Sequence, residues 1–78
     1  MHISQSSDIK VKVGALIRSA REKRQLTLKE LADLVNSSES VMSRYENGKV
    51  NASLNMLQKI AEVLGADLDV HIDLKEII

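Results

Sequence analysis

The sequence predicts an all-α fold, a bundle of four to five short helices, with a single β-strand at its C-terminal end. Two observations predict the helices: apolar residues recur at intervals of three and four, and residues that cap helices precede several of these stretches. A third observation predicts the strand, because apolar and polar residues alternate strictly from Leu68 to Leu74. The 78 residues allow one domain with a small core, so we also expect oligomerisation.

We divide the chain into three parts. Residues 1–8 are small and polar without periodicity, which predicts a disordered tail. Residues 9–66 carry the helical pattern, and residues 67–78 form the strand, for dimerisation or contact with a partner. The chain has no cysteine, no apolar run long enough to cross a bilayer and no secretion signal. These features predict a cytoplasmic protein without membrane contact.

The first helix can begin at more than one place. Asp8 can cap a helix that carries Val13, Leu16 and Ile17 inward. However, residues 9–13 also alternate between apolar and polar side chains and could instead form a short strand. The boundary therefore lies between Asp8 and Gly14.

Two further helices follow in close succession. Thr27 and Glu30 have the spacing of a capping box, which starts the second helix, and Asn36 suits the left-handed turn that ends it. The third helix runs from Ser38 to Gly48. Two short helices separated by so brief a turn predict a helix-turn-helix, whose second helix is free to enter the major groove of DNA.

The third helix has two different faces. Val41, Met42 and Tyr45 form an apolar face, so we expect Tyr45 to pack in the core rather than stack on a base. The opposite face is short and rich in hydrogen-bonding groups, which suits the reading of base edges. It consists of Glu39, Ser40, Ser43 and Arg44.

The C-terminal part contains the fourth helix and the strand. Ser53 caps the helix and Gly65 ends it. The strand must pair, either with residues 9–13 or, as we prefer, with its counterpart in a second copy of the chain. The residues expected to contribute to dimerisation are Leu68, Val70, Ile72 and Leu74.

The formal net charge of zero hides an asymmetry. Up to Lys49 the chain has nine Lys or Arg and six Asp or Glu, a sum of plus three, whereas from Val50 onward it has two and five, a sum of minus three. Because attraction to phosphate needs a local cationic face and not a basic total, the N-terminal half can bind DNA. The alternative, that any one of these charged residues is only a solvated surface group, stays open.

The residues offer no enzyme site. The sequence has no paired-carboxylate cleft, no nucleophile beside a base, no cluster of metal ligands and no glycine loop for phosphate. Its two histidines, His2 and His71, lack partners for catalysis or metal binding. We therefore expect a protein that is not an enzyme and that uses no cofactor or metal.

From Gly14 to Leu68 the chain resembles the Xre/Cro-type helix-turn-helix family of bacterial and phage repressors, which has the lambda-repressor-like fold. No single motif is specific, but their combination is. The motifs are Ile17-Arg18, Arg21-Glu22, Leu26-Thr27, Glu30-Leu31-Ala32, Met42 to Lys49, Ser53-Leu54, Leu57, Ile60-Ala61 and Leu64-Gly65.

The resemblance implies roles for several residues. Ser38 matches the cap whose hydroxyl meets a phosphate, although it can equally be a plain cap. Lys29 stands beside Leu28, which replaces the usual phosphate-binding glutamine, and can take over that contact as a point charge. Arg21 and Glu46 match a partly buried structural ion pair. The base-facing or phosphate-facing positions are Glu39, Ser40, Ser43 and Arg44, and the positions that contact the DNA backbone are Asn47 and Lys49.

The resemblance also implies a function: a homodimeric repressor that binds double-stranded DNA at an inverted repeat. The length and the C-terminal strand look like a HipB-like antitoxin of a type II toxin-antitoxin system, which represses its own operon and binds a protein toxin, with a HipA-like kinase as the favoured partner. The alternatives are a phage regulator, a restriction-modification controller, or a protein-binding module without specific DNA readout.

Overall fold

In the computed structural model, the described residues are 8–75, and they form four helices. The helices are α1 (Asp8–Lys23), α2 (Leu28–Leu34), α3 (Glu39–Glu46) and α4 (Leu54–Leu64). Of the tail expected at residues 1–8, residues 1–7 lie outside the described part, and Asp8 already belongs to α1. No helix within residues 8–75 is both long and apolar enough to cross a membrane.

Residues 9–13 are helical, so their interpretation as a strand is wrong, and so is the pairing of the C-terminal segment with them. The helical period of α1 prevails over the local alternation, because Val13, Ile17 and Ala20 meet the core from one face of the helix. Leu16 was expected to point inward but is 69% exposed. It lies beside this face and not on it.

The turns and caps of α2 and α3 form as the local sequence predicts. The capping box is confirmed: the Glu30 amide donates to Thr27 Oγ1 at 3.0 Å, and the Thr27 amide donates to Glu30 Oε1 at 2.7 Å. Asn36 takes the left-handed conformation, with φ of 58°. In the described part of the chain, seven buried apolar residues come from all four helices or their ends, namely Ile17, Leu31, Ala32, Val35, Met42, Ile60 and Leu64.

The fourth helix is capped as predicted and is tied to the rest of the bundle. The Met56 amide donates to Ser53 Oγ at 3.0 Å, and Gly65 ends the helix at a φ of 66°. At that end Arg24, just beyond α1, donates from Nε to the Leu64 carbonyl at 2.7 Å. This contact satisfies a carbonyl that a helix C-terminus leaves without a partner.

The C-terminal strand is not formed in the single chain. Residues 66–75 have no regular secondary structure. All four apolar residues expected to contribute to dimerisation are exposed, and the fraction rises along Leu68, Val70, Ile72 and Leu74 to 95% at the last. A lone strand has no partner for its backbone groups, and among the described residues this segment (residues 67–75, the C-terminal arm) is paired with no other.

Candidate nucleic-acid interface

Helix α3 is held between α1 and α2 with one face outward. Met42 has no exposed surface, and Val41 and Tyr45 are partly buried against the core, as the spacing predicts. On the other side Glu39, Ser40 and Arg44 are exposed. Helix α3 thus presents several polar side chains to the outside, while packing fixes its position. Recognition of a DNA groove requires both features.

The start of α3 is defined by Ser38. Its Oγ accepts from the Val41 amide at 3.1 Å, and its extended backbone marks the N-cap. One orphan amide of the helix is thereby satisfied. On α2, Lys29 Nζ lies 3.4 Å from Asp33 Oδ2, an exposed pair that contributes little to stability.

The end of α3 is anchored by one buried carboxylate. The side chain of Glu46 is only 2% exposed, and its Oε2 lies 2.7 Å from Arg21 Nε. Arg21 Nη2 donates to Oε1 at 3.0 Å and Arg21 Nη1 to the Leu26 carbonyl at 2.8 Å. This two-point contact fixes α1 against the last turn of the outward-facing helix.

The pKa of Arg21 is raised from its ordinary value. The first cause is the hydrogen bond to Glu46, partly opposed by desolvation and supported by the negative charges of Glu46 and Glu22. The surroundings of Arg21 therefore favour its charged form.

A second arginine binds the same carboxylate, which the sequence analysis did not anticipate. Arg18 Nε lies 3.2 Å from Glu46 Oε1, and Arg18 Nη2 donates to Asn47 Oδ1 at 3.0 Å. Arg18 precedes Arg21 by three residues, a spacing that places both on one face of α1 and could have indicated the contact. Arg18 and Arg21 thus share the one buried carboxylate at this end of α3.

Asn47 was expected to contact the DNA backbone, but its amide is directed at α3. Its Nδ2 donates to the Ser43 carbonyl at 2.8 Å and to Ser43 Oγ at 3.2 Å. Lys49 is exposed just beyond, with its backbone amide on the Arg44 carbonyl at 2.9 Å. Asn47 and Lys49 thus lie at the same end of α3, one tied internally and the other free to extend.

Gly14 is a second residue whose role the sequence analysis missed. A Cβ at this position would stand 2.7 Å from the Glu46 carbonyl oxygen and would also meet the Tyr45 carbonyl oxygen. Only a residue without a side chain lets α1 approach the backbone of α3 this closely. A glycine in a helix interior, where it costs stability, is the signal that could have indicated a close approach.

Within residues 8–75, no group of three or more acidic, histidine or cysteine side chains is placed to hold a metal ion. Fold and site together define a helix-turn-helix protein. A family comparison agrees: the model of the helix-turn-helix family HTH_3 matches residues 17–71. The chain belongs to this family.

Relatives and solved structures support this assignment. Multiprotein-bridging factor 1 of Candida albicans is 38% identical over 60 residues, which are 77% of this chain but only 40% of that protein. The clp gene regulator ClgR of Corynebacterium glutamicum has 32% identity and a TM-score of 0.75, with 77% of each chain covered. The restriction-modification controller protein C.AhdI of Aeromonas hydrophila has 28% identity and a TM-score of 0.77, with 82% of this chain and 93% of that one covered. The chain thus shares a helix-turn-helix domain with these proteins, and it spans less than half the length of the first relative.

Proposed function

We propose that the protein is a sequence-specific transcriptional repressor that binds an inverted repeat as a homodimer and reads each half-site with α3. The observation that carries the proposal is the outward polar face of α3, held in place by Met42 in the core and by Glu46 at the helix end. A rigid element that presents hydrogen-bonding side chains can discriminate bases, whereas a loose one cannot.

Each side chain of this face has a role in the proposal. Exposed Arg44 can bind guanine O6 and N7 with two hydrogen bonds, and Glu39 can accept from a cytosine amine. Each such pairing discriminates by about 1–3 kcal/mol. Ser40 and Ser43 contact bases or phosphates. Ser38, Lys29 and Lys49 contact the phosphate backbone, where lysines act as point charges.

Fluorescence anisotropy with DNA from upstream of the gene tests this proposal. We expect specific binding that weakens steeply as the salt concentration rises. Lysines and arginines that bind phosphates release counterions from the DNA, and added salt opposes this release. Arg44→Ala should weaken binding to the specific site far more than Lys59→Ala, the control at an exposed position of α4. Equal binding to scrambled DNA at every salt concentration would contradict the proposal.

Two apolar surfaces support the proposal of a homodimer. The C-terminal arm exposes its apolar side chains, Ile72 by 88% among them. Next to it, a groove of about 670 Å³ runs between α1, α4 and the start of the arm, lined by Val13, Leu57 and Leu68 among others. Apolar surfaces of this kind mark an interaction site, and a second copy that pairs its arm with this one would cover both.

Light scattering tests the dimer. Leu74→Asp should lower the mass from dimer to monomer, because it places a charge on the apolar side of the arm. Asp69→Asn, which changes the other side of the same arm, is the control and should leave the dimer intact. A Leu74→Asp variant that keeps the dimer mass would exclude the arm as the contact.

The finer function that we propose is that of an antitoxin, which represses its own operon and binds a cognate toxin, with a HipA-like kinase as the favoured partner. In this proposal the toxin binds a surface that lies apart from α3 and from the arm, because the arm is occupied by the dimer contact. A neighbouring reading frame that encodes a copurifying toxin would support this function. If no such partner copurifies, we favour the alternative of a restriction-modification controller or phage regulator. The likeness to C.AhdI supports this alternative.

A further inference from the structure

Three polar side chains form a continuous chain of hydrogen bonds from α1 to the outward face of α3. Arg18 Nη2 donates to Asn47 Oδ1 at 3.0 Å, and Asn47 Nδ2 donates to Ser43 Oγ at 3.2 Å. The same Nδ2 donates to the Ser43 carbonyl at 2.8 Å. Arg18, with no role in the expected DNA contacts, is thereby connected to a residue that we place at the DNA.

Arg18 fixes the direction of the Asn47 amide. A guanidinium carries only donors, so the atom of Asn47 that faces it must be the oxygen. If the amide were turned over, its NH2 would meet the guanidinium donor to donor, and its oxygen would face the Ser43 carbonyl. Arg18 is itself held in place, because its Nε lies 3.2 Å from the buried carboxylate of Glu46.

This direction decides how Ser43 can act. A serine hydroxyl has one donor hydrogen and two acceptor lone pairs, and one lone pair is used by Asn47 Nδ2. Within residues 8–75 no hydrogen bond uses the Ser43 hydroxyl as a donor, so its hydrogen is free for an external acceptor. Accepting a hydrogen bond also polarises the hydroxyl, which makes it a better donor and a poorer acceptor.

We propose that Arg18 is a positioning residue which, through Asn47, biases Ser43 toward donating to DNA. Ser43 then selects acceptor atoms, namely guanine O6 or N7, adenine N7, thymine O4 or a phosphate oxygen, over the amine groups of cytosine and adenine. This inference rests on the proposed function of α3 in reading DNA. The inference adds two things to that function: the class of DNA atom that Ser43 reads, and the residue outside α3, Arg18, that determines this class.

The test compares base preferences, which a purely structural role would not change. The operator position read by Ser43 is the one at which Ser43→Ala removes the base preference, measured by competition with operators carrying each single substitution. At this position we expect the wild type to prefer guanine or thymine over cytosine about tenfold, a ratio that corresponds to 1.4 kcal/mol. Arg18→Met should reduce this preference to less than threefold, and adding Ser43→Ala to it should remove only that remainder.

A matched control separates this effect from charge. Lys12→Met removes the same charge from an exposed position of α1 that takes no part in the hydrogen-bond chain. It should weaken binding to all operators by a similar factor and leave the preference intact. Folding of Arg18→Met is expected to persist, because Arg18 is 46% exposed and Arg21 still binds Glu46.

A second variant reverses the polarity. Asn47→Asp keeps an oxygen toward Arg18 but presents another oxygen to Ser43, so the hydroxyl must donate inward and is left to accept from DNA. We expect the preference at this position to shift toward cytosine or adenine amines, on top of a uniform loss of affinity from the added negative charge.

In the free protein, the side-chain amide of Asn47 should give one sharp pair of NMR signals in the wild type and a shifted, broadened pair in Arg18→Met.

The outcomes distinguish the two proposals. If the wild type binds its operator selectively but Arg18→Met and Asn47→Asp leave the preference unchanged, the role of Arg18 is wrong and the DNA-reading function stands. If the wild type shows no selectivity for any sequence, the proposed function itself is wrong, and the inference about Ser43 is overturned with it.

Discussion

Arg21 on α1 and Glu46 on α3, 25 residues apart in the chain, are joined at two points, 2.7 Å from Nε to Oε2 and 3.0 Å from Nη2 to Oε1. The same arginine donates to the Leu26 carbonyl in the turn before α2. Arg21 and the buried carboxylate of Glu46 together therefore fix the relative position of α1, this turn and the end of α3. The orientation of the outward face depends on it.

We expect Glu46→Gln to destabilise the fold by about 3 kcal/mol, the lower end of the range for a buried ion pair that loses one partner, since glutamine still accepts a hydrogen bond. Urea unfolding followed by circular dichroism measures this loss. Glu22→Gln is the control: its carboxylate lies 4.0 Å from Arg21 but is largely exposed, so we expect a change within about 0.5 kcal/mol. Similar losses for both variants would contradict this account of the site.

The raised pKa of Arg21 gives this contact a pH dependence of known sign. A group whose folded-state pKa is raised stabilises the fold fully below its unfolded pKa, and this stabilisation is lost as the pH rises through the folded value. For an arginine that window lies at extreme alkaline pH. Between neutral pH and pH about 10, deprotonation of Arg21 therefore contributes nothing to any loss of stability.

Gly14→Ala should destabilise the protein although alanine favours helices by about 1 kcal/mol over glycine. The new Cβ would press on the carbonyl oxygens of Tyr45 and Glu46, which are backbone atoms and cannot move aside alone. We expect a net loss of about 1–3 kcal/mol in urea unfolding, typical of overpacking. Ser19→Ala, at an exposed position of the same helix, should be neutral or slightly stabilising. A stabilised Gly14→Ala would show that α1 and α3 lie further apart.

The features that local sequence determines could be predicted. The caps at Thr27, Ser38 and Ser53 each involve a residue three positions further on, so spacing alone identifies them. The apolar face of α3 follows from its period in the same way, and with it the outward position of Ser40 and Arg44.

The features that depend on tertiary contacts could not be predicted from the sequence. Arg18 reaches Asn47 across 29 positions of sequence, and no local pattern encodes that distance. Residues 9–13 satisfied two periodicities at once, and the packing of Val13 and Ile17 decided between them. The C-terminal arm alternates like a strand, but a strand needs a partner that a single chain does not supply.

Ser38→Asp separates the two roles of the N-cap. Aspartate caps helices as well as serine does, so we expect the free energy of unfolding to change by less than about 0.5 kcal/mol. If Ser38 also meets a phosphate, the added negative charge should repel DNA and weaken operator binding at least tenfold at low salt. Ser38→Ala should instead cost about 1 kcal/mol of stability through the lost contact with the Val41 amide. Unchanged DNA affinity in Ser38→Asp would make Ser38 a plain cap.

Gln25→Gly should stabilise the protein, because Gln25 has a φ of 60° and glutamine, unlike asparagine, is poorly suited to the left-handed region. Removing the Cβ relieves about 1–2 kcal/mol of backbone strain in the folded protein. The greater conformational freedom of glycine in the unfolded chain opposes this gain by about 0.5–1 kcal/mol. We therefore expect a net gain of about 0.5–1 kcal/mol, read from the urea midpoint. Gln25→Ala keeps the Cβ and should give no gain, and Asn36→Gly, at a φ of 58°, should gain less because asparagine tolerates this conformation. Equal gains for glycine and alanine at position 25 would mean that the backbone there is not strained by its side chain.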